Sequence, residues 1–89
     1  MTDDGSTLLD FPTGVPVKSM GEVRADFVQT MVELVQRHAP DFKADTVETR
    51  ASSNGRYLSI TCTIRATSKA QLDALYQEIT SHPWVNMAL

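Results

Sequence analysis

Ser53-Asn54-Gly55-Arg56-Tyr57-Leu58-Ser59-Ile60-Thr61-Cys62-Thr63-Ile64-Arg65-Ala66 alternates without interruption from Tyr57 onward. Leu58, Ile60, Cys62, Ile64 and Ala66 form an apolar row, and Tyr57, Ser59, Thr61, Thr63 and Arg65 form the row between them. Such alternation specifies a strand with one face on a core and the other open. Burial of each large inward side chain contributes roughly 1.5–3 kcal/mol. The preceding Asn54-Gly55 is the strongest short hairpin signal, since a two-residue turn of this kind needs positive φ at both positions. Counting back across that turn pairs Ala51 with Leu58, Thr49 with Ile60 and Val47 with Cys62 on the core side. Ser52, Arg50, Glu48 and Thr46 then face Tyr57, Ser59, Thr61 and Thr63 on the open side.

Working outward, residues 15–20 read as a strand, with Val15, Val17 and Ser19 inward and Pro16, Lys18 and Met20 outward. Pro16 fits if the strand begins there or if its missing N–H has no neighbour to serve. Gly21 reads as the punctuation after that strand, permitting a sharp turn. A helix is expected over 22–38, because Val23, Phe27, Val28, Met31, Leu34 and Val35 recur at helical spacing. Ala39-Pro40 stops it, leaving Arg37 and His38 at its negative end. A connector over 41–45 is anchored by Phe42. Ser68 and Gln71 have capping-box spacing, with Thr67 as an alternative cap. Leu72, Leu75, Tyr76 and Ile79 mark the buried stripe of a second helix ending at His82-Pro83. A last strand over 84–89 is expected to turn Val85, Met87 and Leu89 inward.

The order strand, helix, strand, strand, helix, strand is the split βαβ, ferredoxin-like plan. The fold class is α+β: a four-stranded antiparallel sheet of order 4-1-3-2, two helices on one face, the other face open. Residues 1–6 are expected to be a disordered tail and 7–89 a single domain. Within 7–12, one or more of Leu8, Leu9 and Phe11 is expected to pack on the edge of the core.

Composition narrows the functional classes. The 89 residues carry a net charge of -3 with 42% hydrophobic residues, which suits one small core and opposes non-specific attraction to phosphate backbones. The single cysteine, Cys62, stands in the inward row and reads as a small buried hydrophobe. No disulfide framework, secretion signal or membrane span is read, so a cytoplasmic location is expected.

The residues argue against several chemistries of this topology. An RNA-recognition sheet needs aromatics on its central strands, and the outward rows offer Tyr57 alone. A metal-chaperone loop needs paired thiols, whereas Met20-Gly21-Glu22 has none. An acylphosphatase-type site needs an anion cradle in the first strand–helix loop, where Arg24 stands as a solvated helix residue without one. His38 and His82 show no ligand spacing. No catalytic residue, metal or cofactor is expected.

The segments Leu8-Leu9-Asp10-Phe11-Pro12, Lys18-Ser19-Met20-Gly21, Val35-Gln36-Arg37-His38-Ala39-Pro40, Ser52-Ser53-Asn54-Gly55-Arg56-Tyr57 and Leu75-Tyr76 resemble the YbeD family of small bacterial proteins, in the same order and over nearly the whole chain. The resemblance implies a ferredoxin-like fold similar to ACT-type regulatory domains and carries over no catalytic residue. Ser19 and Pro16 depart from the family's pattern and put the length of the first strand in question. Domains of the ACT type bind effectors near the first strand–helix loop, which nominates Met20, Gly21 and Glu22. With the open-face residues Lys18, Glu48, Arg50, Tyr57, Thr61, Thr63, Arg65 and Asn86, these form the candidate surface. The expected function is a non-catalytic regulatory or protein-interaction module with a protein partner or a small-metabolite effector; no membrane is expected, and the residues disfavour nucleic acid. Single-stranded RNA binding and a small acylphosphatase-like enzyme are the alternatives. Pairing of two copies through an edge strand, 46–52 or 84–89, is the expected route to any homodimer.

Overall fold

The alternation that defines the central hairpin places β3 at Tyr57–Ala66 in the computed structural model, which describes residues 11–89. Around it stand β1 (Thr13–Glu22), α1 (Phe27–His38), β2 (Glu48–Ala51), α2 (Lys69–Ser81) and β4 (Met87–Ala88), with a 3-10 turn at Ala44–Thr46. The antiparallel sheet runs β2-β3-β1-β4, the expected order read from its other edge. Both helices contact β3 and each other. Phe27, Met31, Leu34 and Val35 of α1 and Leu72, Leu75 and Ile79 of α2 close over Val17, Ile60, Cys62, Ile64 and Ala66. Phe42 anchors the connector in this core, and Phe11 packs on its edge. The expectations for residues 1–10, including Leu8 and Leu9, lie outside the described residues.

The hairpin register is as counted: Ala51 opposes Leu58, Thr49 opposes Ile60, Arg50 opposes Ser59 and Glu48 opposes Thr61. The turn itself differs. Its closing hydrogen bond runs from Gly55 N–H to Ser52 O, with Gly55 at φ 72, so the connection spans residues 53–56 rather than Asn54-Gly55 alone. Asn54 Oδ1 accepts from Ser52 Oγ at 2.7 Å and from Arg56 N–H at 3.0 Å, while Ser52 Oγ accepts from Tyr57 N–H at 3.1 Å. Side-chain acceptors thus satisfy donors that a tighter ladder would have paired.

Pro16 sits inside β1, opposite Thr63. Lys18 exchanges main-chain bonds with Leu89, so the main-chain groups of Pro16, two residues earlier on the same side, point beyond the end of β4. The missing donor therefore interrupts no ladder among the described residues.

Three expectations are corrected. First, α1 begins at Phe27, not residue 22, and Val23 is exposed (52%) rather than on its buried face. Pairing with β3 extends β1 through Glu22 opposite Tyr57, and Val23 N–H donates to Arg56 O at 3.0 Å. Second, β4 is confined to Met87–Ala88, because residues 82–85 form a turn closed by Val85 N–H to His82 O. Ala88, opposite Ser19, faces the core, whereas Met87 (54% exposed) and Leu89 (64%) face away from it. Third, all four residues of β2 are exposed, including Thr49 and Ala51, which have the core-side parity. The helices cover β3 and β1 but stop short of this edge.

Ser68 caps α2 by accepting from Gln71 N–H at 3.1 Å. The return bond of the expected box is displaced by one residue: Gln71 Oε1 accepts from Thr67 N–H, and its Nε2 donates to His38 O, both at 2.7 Å. The start of α2 is thereby tied to the end of α1. Among the described residues no helix is long and apolar enough to cross a membrane.

Candidate functional site

The open face is built by strand parity. Lys18 and Met20 of β1, Tyr57, Ser59 and Thr61 of β3, and Glu48 and Arg50 of β2 share one side because their registers align. Thr61 is flanked by Lys18 and Glu48; Ser59 is flanked by Met20 and Arg50. β4 adds Met87 beside Met20, and Leu89 stands beside Lys18 through reciprocal main-chain bonds of 3.1 and 2.8 Å. The Tyr76 hydroxyl donates to the Leu89 main-chain oxygen at 2.6 Å, fastening Leu89 to α2.

Two shallow hollows lie on this face. One, of about 410 Å³, is bounded by Lys18, Met20, Arg50, Tyr57, Ser59 and Leu89 among others. The second, of about 580 Å³, lies between Lys18, Glu48, Arg50, Ser59 and Thr61. Lys18, Arg50 and Ser59 belong to both. Thr63 and Arg65 fall in a separate hollow of about 220 Å³ beneath the connector residues Asp41, Lys43 and Thr46. Asn86 is exposed and its N–H donates to Met20 O at 2.8 Å.

The nominated Met20-Gly21-Glu22 loop is not a loop. All three residues are in β1, and Gly21 is buried. A Cβ on Gly21 would come within 2.1 Å of the Trp84 main-chain oxygen and 2.9 Å of Phe27 Cζ. Glycine is needed there for close approach, and the turn expected at Gly21 does not occur. Glu22 is exposed, with a carboxylate oxygen 4.0 Å from Arg56 Nη2. Arg24 lies in the loop before α1, not in the helix. Its guanidinium stacks over the Trp84 ring at 4.7 Å, and that ring meets Phe27 and His82 edge-on.

Sequence reasoning missed Met87 and Leu89 as face residues. Their neighbours Trp84 and Val85 are both half-buried, so apolarity does not choose the phase of this segment. The pairing of Lys18 with Leu89 does. It also missed Glu78, whose carboxylate takes Arg37 and, at 2.6 Å, His38 Nε2. The Glu78 carboxyl is held below its usual range chiefly by the His38 hydrogen bond, with partial burial opposing and Arg37 reinforcing. Burial pushes the Cys62 thiol up to about 11, which leaves it protonated and unreactive at neutral pH. Among the described residues no group of three or more His, Cys, Asp or Glu could hold a metal ion.

The family model described as a protein of unknown function, DUF493, matches residues 6–89. The chain belongs to this family. As the resemblance to the YbeD family implied, its relatives are small bacterial proteins of similar length. It is 47% identical over 89 residues to a UPF0250 protein of Nitrosomonas europaea, covering 100% of both chains. It is 45% identical over 89 residues to a UPF0250 protein of Chromobacterium violaceum, again with 100% coverage of each. With the Ralstonia nicotianae UPF0250 protein the identity is 44% over 88 residues, 99% of this chain and 91% of that one. Among solved structures, the fold is similar to the Helicobacter pylori protein HP0495, with a TM-score of 0.68 at 17% identity over 91% of this chain and 85% of that one. It is also similar to the C-terminal domain of the Mycobacterium tuberculosis MgtC protein, with a TM-score of 0.61 at 16% identity over 91% and 88%. These two likenesses concern the fold alone.

Proposed function

We propose that this member of the DUF493 family is a non-catalytic interaction module that regulates a cytoplasmic partner protein by docking it on the uncovered sheet face. The observation that carries the reading is the apolar strip of exposed Met87 and Leu89, continued by half-buried Met20, beside Lys18 and Arg50, neither of which has an ion-pair partner among the described residues. An exposed apolar strip bordered by free cations fits a partner segment that combines acidic and apolar side chains. Among the described residues this face presents one aromatic, Tyr57, which gives a base only one stacking surface and disfavours single-stranded RNA. In the strand–helix loop Arg24 is engaged on Trp84, which weighs against an acylphosphatase-like cradle.

Comparative capture tests the reading. The wild-type chain should retain a partner that the Met87→Asp and Lys18→Glu variants lose, with the same contacts mapped by amide shifts when purified partner is added. Identical capture by all three chains would contradict it. Shifts at Lys18, Ser59 and Tyr57 with amino acids or related metabolites alone would instead make the hollow a small-effector site.

A further inference from the structure

The free edge of the sheet has a property separate from its open face. Ser52 N–H donates to Tyr57 O, and antiparallel pairing alternates, so Arg50 and Glu48 also direct their main-chain groups toward β3. Thr49 and Ala51 therefore direct theirs outward, along an edge that no described element covers and whose residues are all exposed. An uncovered edge with outward N–H and C=O groups is a template for another strand.

We propose that β2 pairs antiparallel with β2 of a second copy, about a two-fold axis passing between Thr49 and the partner's Thr49. The hydrogen-bond phase selects this centre. An axis at Glu48 or Arg50 would call on groups already bonded to β3, whereas Thr49 can exchange both bonds with its copy. Ala51 N–H then donates to the partner's Val47 carbonyl. Val47 N–H is already given to Ala44 O, so the ladder ends there.

Charge selects the same register. With the axis at Thr49, Glu48 opposes the partner's Arg50 and Arg50 opposes the partner's Glu48. Both fall at non-hydrogen-bonded positions, where facing side chains are closest. Parallel pairing in register would set Glu48 against the partner's Glu48 and Arg50 against the partner's Arg50. Moving the axis to Ala51 sets Arg50 against the partner's Ser52 and leaves no charge pair. A strand this short and charged resists indiscriminate pairing, yet its sequence is self-complementary in this arrangement. The two sheets would join into one layer with the helices on a common side, and the partner's Glu48 would border the hollow that holds Arg50, leaving Lys18 as the unpaired cation beside the apolar strip in the dimer.

Sedimentation equilibrium on the full chain over a concentration series, at low and high salt, tests the pairing. Wild type should show a reversible monomer–dimer equilibrium that weakens with salt. Glu48→Arg alone and Arg50→Glu alone should each weaken the dimer by about ten-fold or more, because two attractions become two repulsions. An equimolar mixture of the two single variants should associate again, as should the Glu48→Arg/Arg50→Glu double variant. Thr49→Pro removes an outward N–H that bonds nothing among the described residues, so it should abolish the dimer while amide spectra show the fold retained. A wild-type chain that stays monomeric to millimolar concentration would overturn the proposal. So would a dimer indifferent to both charge reversals and to Thr49→Pro.

Discussion

The Trp84 main-chain oxygen crosses Gly21 so closely that a methyl group on Gly21 would meet it at 2.1 Å. This crossing fixes where the segment after α2 passes β1, and so which side chains of β4 reach the open face. Gly21→Ala must displace backbone rather than a flexible side chain, and the Phe27 ring stands 2.9 Å from the same position. Urea unfolding should show a loss of roughly 1–3 kcal/mol, the usual cost of overpacking a close contact. An unchanged midpoint would mean that the segment shifts freely.

Glu78 joins the ends of the two helices through His38 and Arg37. Because its folded-state carboxyl lies below the usual range, its contribution is present above the unfolded value and fades as pH falls through the folded one. The side chain is 38% exposed, so solvent screening keeps the contribution to at most about 1 kcal/mol. Glu78→Gln should therefore destabilise at pH 7, and the difference from wild type should shrink in acid. A difference that grows as pH falls would show that the pairing has the opposite sign.

Cys62 combines burial with a thiol shifted up to about 11. A thiol-specific disulfide reagent should leave it unmodified in the native chain and react fully in denaturant. Rapid native labelling would place it on the wrong face of β3.

Met87 and Leu89 are apolar, yet their exposure makes them poor contributors to the core. Met87→Ser should change stability by no more than about 0.5 kcal/mol. Leu75→Ala, at a fully buried position of α2, should cost about 2–5 kcal/mol.

The hairpin was legible because three signals agree: the two rows of β3, the Asn54-Gly55 turn and the count between them. That agreement survived a change in the turn, since the Ser52–Tyr57 closure keeps the same register. The helix faces were legible for the same reason, with Ser68 supplying a cap. The start of α1 was not. Asp26 makes no side-chain cap there, and pairing of Glu22 with Tyr57 outweighs the helical spacing of Val23. The phase of β4 was hidden because apolar residues occur in both of its rows, so only contact with β1 decides between them. The absence of cover over β2 is likewise tertiary: Thr49 and Ala51 have the correct parity, but neither helix reaches them. Of the candidate surface, Lys18, Met20, Glu48, Arg50, Tyr57 and Thr61 come together. Gly21 is buried, while Thr63 and Arg65 belong to a neighbouring hollow.

Methyl relaxation in the presence of a soluble paramagnetic chelate gives the sharpest test of the uncovered face. The methyl groups of Met87 and Leu89 should relax strongly, that of half-buried Met20 less so, while those of Ile60, Ile64 and Leu75 remain protected. Equal protection of Met87, Leu89 and Ile60 would contradict the exposed strip on which the docking surface depends.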